Sequence, residues 1–343
     1  MTERSLNAAD ASTNARAWIS ILASYREPSG SRSTIELLIT ILPFAALWVL
    51  AWATLSISYW LSAGFVVLAG GFLVRLFAIQ HDCGHGTLYR KRQLNDWIGR
   101  VLSVLTLTPY DAWRRDHAIH HASSGNLDKR GVGDINTLTV KEYQALSFWG
   151  RMGYRAYRHP LTMFLVGPAY QFFLRHRLPL GHIFARNAPW TSTMLTNAGI
   201  VLLFAGGIWI FGLVPFLIVH LPITLIAACV GVWLFYVQHQ FEETTWDDSG
   251  EWDLHDAALH GSSYYVMPAA LRWMTANIGV HHVHHLCSRI PYYRLPQVLR
   301  DHPILASQGR LTILESLRCV KLALWDERQG RLVSFREVGA MAA

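Results

Sequence analysis

The sequence predicts an all-α integral membrane protein with four transmembrane helices arranged as two hairpins. Three observations lead there. Hydrophobic residues make up 52% of the 343 residues and charged residues only 15%, whereas soluble domains carry about a quarter charged. The longest apolar stretches fall in two pairs, 37–59 with 61–79 and 194–211 with 216–237, each near the ~20 residues a helix needs to cross the hydrocarbon core. Lys and Arg are missing between Arg32 and Arg75 and again between Arg186 and Arg272, and crowd the segments around those gaps.

Residues 1–33 are polar and lack the apolar core of a signal peptide, which predicts a loosely ordered N-terminal tail. The first pair of spans breaks at Tyr59-Trp60, and Gly64, Gly70 and Gly71 offer small surfaces for close helix contact. Segment 161–174, with Pro168 inside, is short for a span and suits an interfacial or re-entrant helix. Gly212-Leu213-Val214-Pro215 forms the second hairpin turn. The remaining stretches, 80–193 and 238–335, build a cap on one side, so that 34–335 is one membrane domain and 336–343 a C-terminal tail. The positive-inside rule puts both termini and the cap in the cytoplasm, as expected for a bacterial inner membrane protein, and the 14 Trp suit membrane interfaces.

Cys83, Cys229, Cys287 and Cys319 form no CxxC pair, so neither a disulfide framework nor a thiolate zinc site is expected. A reducing compartment fits. The formal net charge of +7 would attract anionic lipid head groups or an acidic electron donor. No nucleic-acid partner is expected.

Chemistry is concentrated in three histidine clusters: His81 and His85 after the second span, His117, His120 and His121 in the central segment, and His281, His282, His284 and His285 near the C-terminus. Residues three and four apart share a helix face. His81 therefore pairs with His85, His117 with His120 and His121, and His281 with His284 and His285. His282 turns about 100° away from His281 and is expected to stand behind the ligands. Imidazole suits iron, zinc, copper and nickel, and eight such ligands are too many for one ion. A pair of redox metals follows, since zinc cannot change its oxidation state. His239 ends the fourth span at the depth of His81; it either completes the metal shell, the favoured reading, or is an ordinary helix-end histidine.

Asn277, one helical turn before His281, could hold a metal-bound water. Asp82, Asp111, Asp116, Asp134 and Glu242 are the acids close enough in sequence to receive a ligand's second N–H, and the sequence does not choose among them. His159, His176, His182, His220, His255, His260 and His302 lack cluster partners and read as structural. Leu105, Leu107, Tyr110 and Trp113, between the first two clusters, could line an apolar tunnel or simply pack at the interface.

The order H-x3-H, H-x2-H-H, H-x2-H-H, each end box following a hairpin, resembles the membrane fatty-acid desaturases over roughly residues 37–335. The phrases His81-Asp82-Cys83-Gly84-His85-Gly86, 236–242, Asn277-Ile278-Gly279-Val280-His281 through Arg289-Ile290-Pro291, and Gly261-Ser262-Ser263-Tyr264-Tyr265 look like those of bacterial acyl-lipid desaturases of the delta-12 (omega-6) type. The resemblance implies a four-span fold with a cytoplasmic cap carrying two non-haem irons. His81, His85, His117, His120, His121, His239, His281, His284 and His285 match the family's ligand positions. It also implies O2 as co-substrate and an acyl-lipid, acyl-CoA or acyl-carrier-protein substrate. Two electrons would come from a ferredoxin or a cytochrome, no fused cytochrome b5 domain being apparent. Two rival readings are a di-iron hydroxylase of an apolar substrate and a histidine-rich metal transporter. Transporters place polar ligands midway along their spans, whereas these clusters lie outside.

Overall fold

The computed structural model describes residues 15–180 and 189–341. Among them, four helices are long and apolar enough to cross a membrane: Gly30–Ala53, Tyr59–His85, Trp190–Phe211 and Leu213–His239. They form the two expected hairpins. Ser29 and Ser58 cap the first and second spans by accepting hydrogen bonds from the backbone N–H of Arg32 and Leu61, as short hydroxylated side chains do at helix starts. The first turn lies at 54–58, several residues before the expected Tyr59-Trp60 break. Thr54 turns its hydroxyl back to the Leu50 carbonyl (2.7 Å) and Ser58 opens the next helix, so polar residues inside an apolar run set the boundary. In the second hairpin Gly212 alone makes the turn, at φ 81° and ψ 157°, a conformation that glycine adopts at little cost. Leu213-Val214-Pro215 already belong to the fourth span.

The second span is central. It packs on the first span and on the fourth, where a side chain at Gly70 would meet Ile226 at 2.8 Å. Gly71 faces Met274 of the cap, but Gly64 faces open space and makes no close contact. Leu42, Val49, Trp60, Leu202 and Trp209 remain exposed along the spans, the lipid-facing surface such helices need.

The cap gathers at the end of the spans that carries His85 and His239. Its helices include Arg92–Leu105, Tyr110–Ser123 and His281–Leu286. Short strands brace it: Leu138–Thr139 runs parallel to Leu324–Asp326, and Tyr264–Val266 parallel to Arg310–Thr312. Segment 161–174 is a short helical piece, Thr162–Val166 followed by Gly167–Phe173, packed on the fourth span through Phe164 and Trp233 (centroids 5.0 Å apart).

The described parts of both tails include helix. Ala15–Leu22 is a helix that buries Ala15, Trp18 and Leu22 on one side, a spacing that forms a single apolar stripe. Trp18 lies edge-on to His302 (5.3 Å), and the Tyr25 hydroxyl donates to Asp301 (2.8 Å). Phe335–Met341 is helical too, with Val338 buried. Residues 1–14 and 342–343 of the expected tails, and His182, lie outside the described residues.

Candidate metal centre

Four helix ends converge on one place. The second span stops at His85 because Gly86 takes a left-handed conformation (φ 72°) and its N–H closes on the carbonyls of Asp82 and Cys83, the usual glycine stop. His81 and His85 therefore sit in the last turns of that helix. Trp113 of helix Tyr110–Ser123 comes so close to Gly84 that a β-carbon there would meet its ring at 2.8 Å. That contact brings His117, His120 and His121 opposite His81 and His85. His239 is the last residue of the fourth span, and Gln240 beside it is held by Arg158 (3.0 Å). The third cluster starts a helix of 6 residues, His281–Leu286, whose first two N–H groups donate to the Ser263 carbonyl (3.2 and 3.3 Å). The run Gly261-Ser262-Ser263-Tyr264-Tyr265 thus positions the third box.

The nine histidines divide into two groups. His81, His85, His117, His121 and His284 form one; His120, His239, His281 and His285 form the other. Within the first, Nε2 atoms approach to 2.9 Å (His85 to His117, and His117 to His81) and 3.1 Å (His121 to His117, and His284 to His121). Within the second they lie 3.2 Å (His120 to His239), 3.0 Å (His239 to His281) and 3.1 Å (His285 to His281) apart. Two nitrogens at right angles around an ion ~2.1 Å away would be ~3.0 Å apart, so the spacing fits shared coordination. The groups touch: the His121 and His285 rings stack at 4.1 Å.

Burial, followed by repulsion from neighbouring imidazoles, holds His117, His121, His281, His284 and His285 well below the ordinary histidine range. They are neutral, and each has one lone pair to give. Several lone pairs aimed at a common point are unfavourable without a cation. Nitrogen donors alone suit iron, copper, nickel or zinc, but a set of five exceeds zinc's usual four. The donor chemistry therefore fits the expected pair of irons.

A ligand binding through Nε2 leaves its Nδ1–H in need of an acceptor. His120 meets the carboxylate of Asp134, and His239 lies 3.4 Å from the Gly261 carbonyl. Asp82, next to His81 in sequence, stands 3.7 Å from its Nδ1 and accepts instead from the Tyr292 N–H (2.9 Å). Of the other acids, Asp111 pairs with Arg100 (2.9 Å) and Glu242 is exposed. Asp134 thus supports a cluster histidine directly, a role that the sequence alone did not assign. His282 belongs to neither group, and its Nε2–H donates to the Leu305 carbonyl (2.8 Å). Asn277 differs from expectation. The residues before His281 form turns rather than helix, Asn277 itself has φ 56°, and its amide donates to the Tyr292 carbonyl (3.3 Å).

Most lone histidines have other surroundings: His260 meets Asp256 (3.0 Å), His176 meets Gln171 (2.7 Å), and His220 stacks on Phe216 (5.0 Å). A cavity of about 660 Å³ reaches His81, His117 and His281 and runs between Leu73, Phe77, Ala227 and Gly231 of the spans. Leu105, Leu107 and Trp113, for which tunnel lining and interfacial packing were both open, line it. Tyr110 does not; its buried hydroxyl lies within hydrogen-bond reach of the Cys83 carbonyl (2.7 Å) and the Asp96 carboxylate (2.8 Å), which share its one proton.

Comparison with known proteins agrees with this arrangement. The fatty acid desaturase family profile matches residues 58–313. A fatty acid desaturase of Bacillus subtilis is 44% identical over 317 residues, covering 92% of this chain and 90% of that protein. Two Synechocystis proteins are more distant: an sn-1 acyl-lipid omega-3 desaturase (ferredoxin), 28% identical over 245 residues, and an sn-1 oleoyl-lipid 12-desaturase, 26% identical over 242. Each of these alignments covers 67% of this chain and 64% of the relative.

Proposed function

The chain belongs to the fatty acid desaturase family, and from that premise we propose that it is an O2-dependent fatty-acyl desaturase placing a cis double bond in a membrane-lipid acyl chain. The observation that carries this reading is the apolar cavity, walled by membrane-spanning helices and ending at histidines of both groups. Its size lies within the range of small-molecule sites.

His81, His85, His117, His121 and His284 would hold one iron, and His120, His239, His281 and His285 the other. When bound, the pair supplies the activation of O2 that removes hydrogen from two adjacent methylenes. In overall balance, the acyl chain and two electrons with two protons reduce O2 to two waters. A ferredoxin or a cytochrome provides the electrons. Leu73, Phe77, Leu105, Ala227 and Gly231 exclude water and align the chain. Asp134 fixes His120 in the tautomer that presents Nε2. The 34–335 segment forms the catalytic unit. Its cap, 80–193 with 238–335, faces the cytoplasm of a bacterial inner membrane, which the Lys and Arg distribution supports. Both histidine groups lie at span ends, unlike the midplane ligands of transporters.

The test is the fatty-acid profile of a desaturase-free host expressing the chain with a compatible donor, beside a His120→Ala control. New unsaturated acids that require the intact chain are expected, and the double-bond position tests the delta-12 assignment. New hydroxyl groups instead would make it a hydroxylase. An unchanged profile with iron-loaded protein present would overturn the acyl-chain reading.

A further inference from the structure

The second span carries a charge that the reaction does not use. Arg75 is 1% exposed, six residues before His81, or about 9 Å along the helix axis. Its guanidinium pairs with Glu36 of the first span, which is also 1% exposed, and Nε donates to Thr40 (3.0 Å). The remaining partners come from the cap. Nη1 donates to the Trp273 carbonyl, the guanidinium lies 4.1 Å over the Trp273 ring, and Nη2 reaches the Tyr292 hydroxyl (3.4 Å). That hydroxyl in turn donates to Glu36 (3.0 Å).

Trp273 and Tyr292 bracket the third box. Tyr292 also ties the two histidine-bearing segments together through its backbone: its N–H donates to Asp82 (2.9 Å), and its carbonyl accepts from Asn277 (3.3 Å). One residue thus links the buried ion pair, the first box and the approach to the third. A charge at membrane depth is costly, and apolar side chains often fill such a place more stably than an ion pair. What directional, charge-assisted bonds add is register.

We propose that Arg75 and Tyr292 are positioning residues that, with Glu36, hold the third-box helix in register with the second span, so that His284 meets His81 and His85 around one ion. The inference rests on the reading of the histidine groups as a metal site, but not on the reaction performed there.

Its test uses full-length protein in detergent, loaded with ferrous iron or with cobalt(II). Ions per chain are counted against a competing chelator, and the cobalt visible spectrum reports coordination. In Arg75→Met the affinity for one ion should fall about 10–100-fold, the usual effect of losing an outer contact. Its cobalt bands should shift while those of the second ion persist, and Arg75→Lys should recover part of the loss. Tyr292→Phe, which removes the hydroxyl and keeps the N–H to Asp82, should move the same bands less. A variant that melts earlier yet binds both ions with unchanged affinity and spectra would overturn the proposal. If Arg75→Met does not accumulate, Tyr292→Phe decides by the same readouts. A parent chain that takes up no ion would instead sink the metal reading itself.

Discussion

The two histidine groups are built from the same residue type, and each contains a four-residue spacing (His81/His85 and His117/His121 in one, His281/His285 in the other), yet they are unequal. The group of His81, His85, His117, His121 and His284 has five donors, and His85, His117 and His121 are only half-buried. The group of His120, His239, His281 and His285 has four donors, of which only His285 is half-buried. In the second group Asp134 stands behind His120 and the Gly261 carbonyl lies beside His239. The first has five donors to share the task; the second has fewer donors and an acid to fix one of them. Redundancy and support stand in for each other.

Substitutions can break or sharpen that contrast. The largest effect should separate His239→Ala from His85→Ala. Loss of a ligand from the four-donor group should lower desaturation by more than about 100-fold, whereas the five-donor group should tolerate its loss with about a 10–100-fold decrease. Equal losses, measured as product per bound protein, would erase the asymmetry. Next, Asp134→Asn should lower the affinity of the four-donor position about 10–100-fold and leave the other unchanged, read as the order in which a chelator strips the ions. Stripping in the opposite order would show that Asp134 is not the decisive support. The smallest effect concerns His282, inside the third box but outside both groups. His282→Ala removes the shorter of the two bonds to the Leu305 carbonyl, which keeps the Gln308 N–H (3.4 Å), and should cost about 1 kcal/mol of stability, seen in thermal unfolding. Metal content should stay at the parent level; a drop would place His282 in the centre after all.

What the sequence made legible follows from periodicity. The boxes lie on helices, so three-and-four spacing sets His281 apart from His282, which meets the Leu305 carbonyl, and the charge gaps marked both hairpins. Where the chain leaves regular structure, that signal ends. Asn277 was read as one turn of helix before His281, but the segment is a set of turns, and its amide goes to Tyr292. Asp134 could not be told from Asp82 or Asp111, because the loop that brings it to His120 has no period. Ala15–Leu22 was missed as structure because eight residues in a polar stretch carry too short an apolar stripe to stand out. Arg75 falls inside the second apolar stretch, but its partners are spread from Glu36 to Tyr292.

The third box supplies ligands to both groups from far along the chain: His284 meets His121 across 163 positions, and the Tyr292 amide reaches Asp82 across 210. A polypeptide is made and inserted from its N-terminus. While it is still on the ribosome, with both hairpins in the bilayer, it already holds His81, His85, His117 and His121, four of five donors of one group, but only His120 and His239 of the other. The donors of the two groups therefore become available unequally before the third box is made. At that point the first group lacks only His284, whereas the second still needs both His281 and His285.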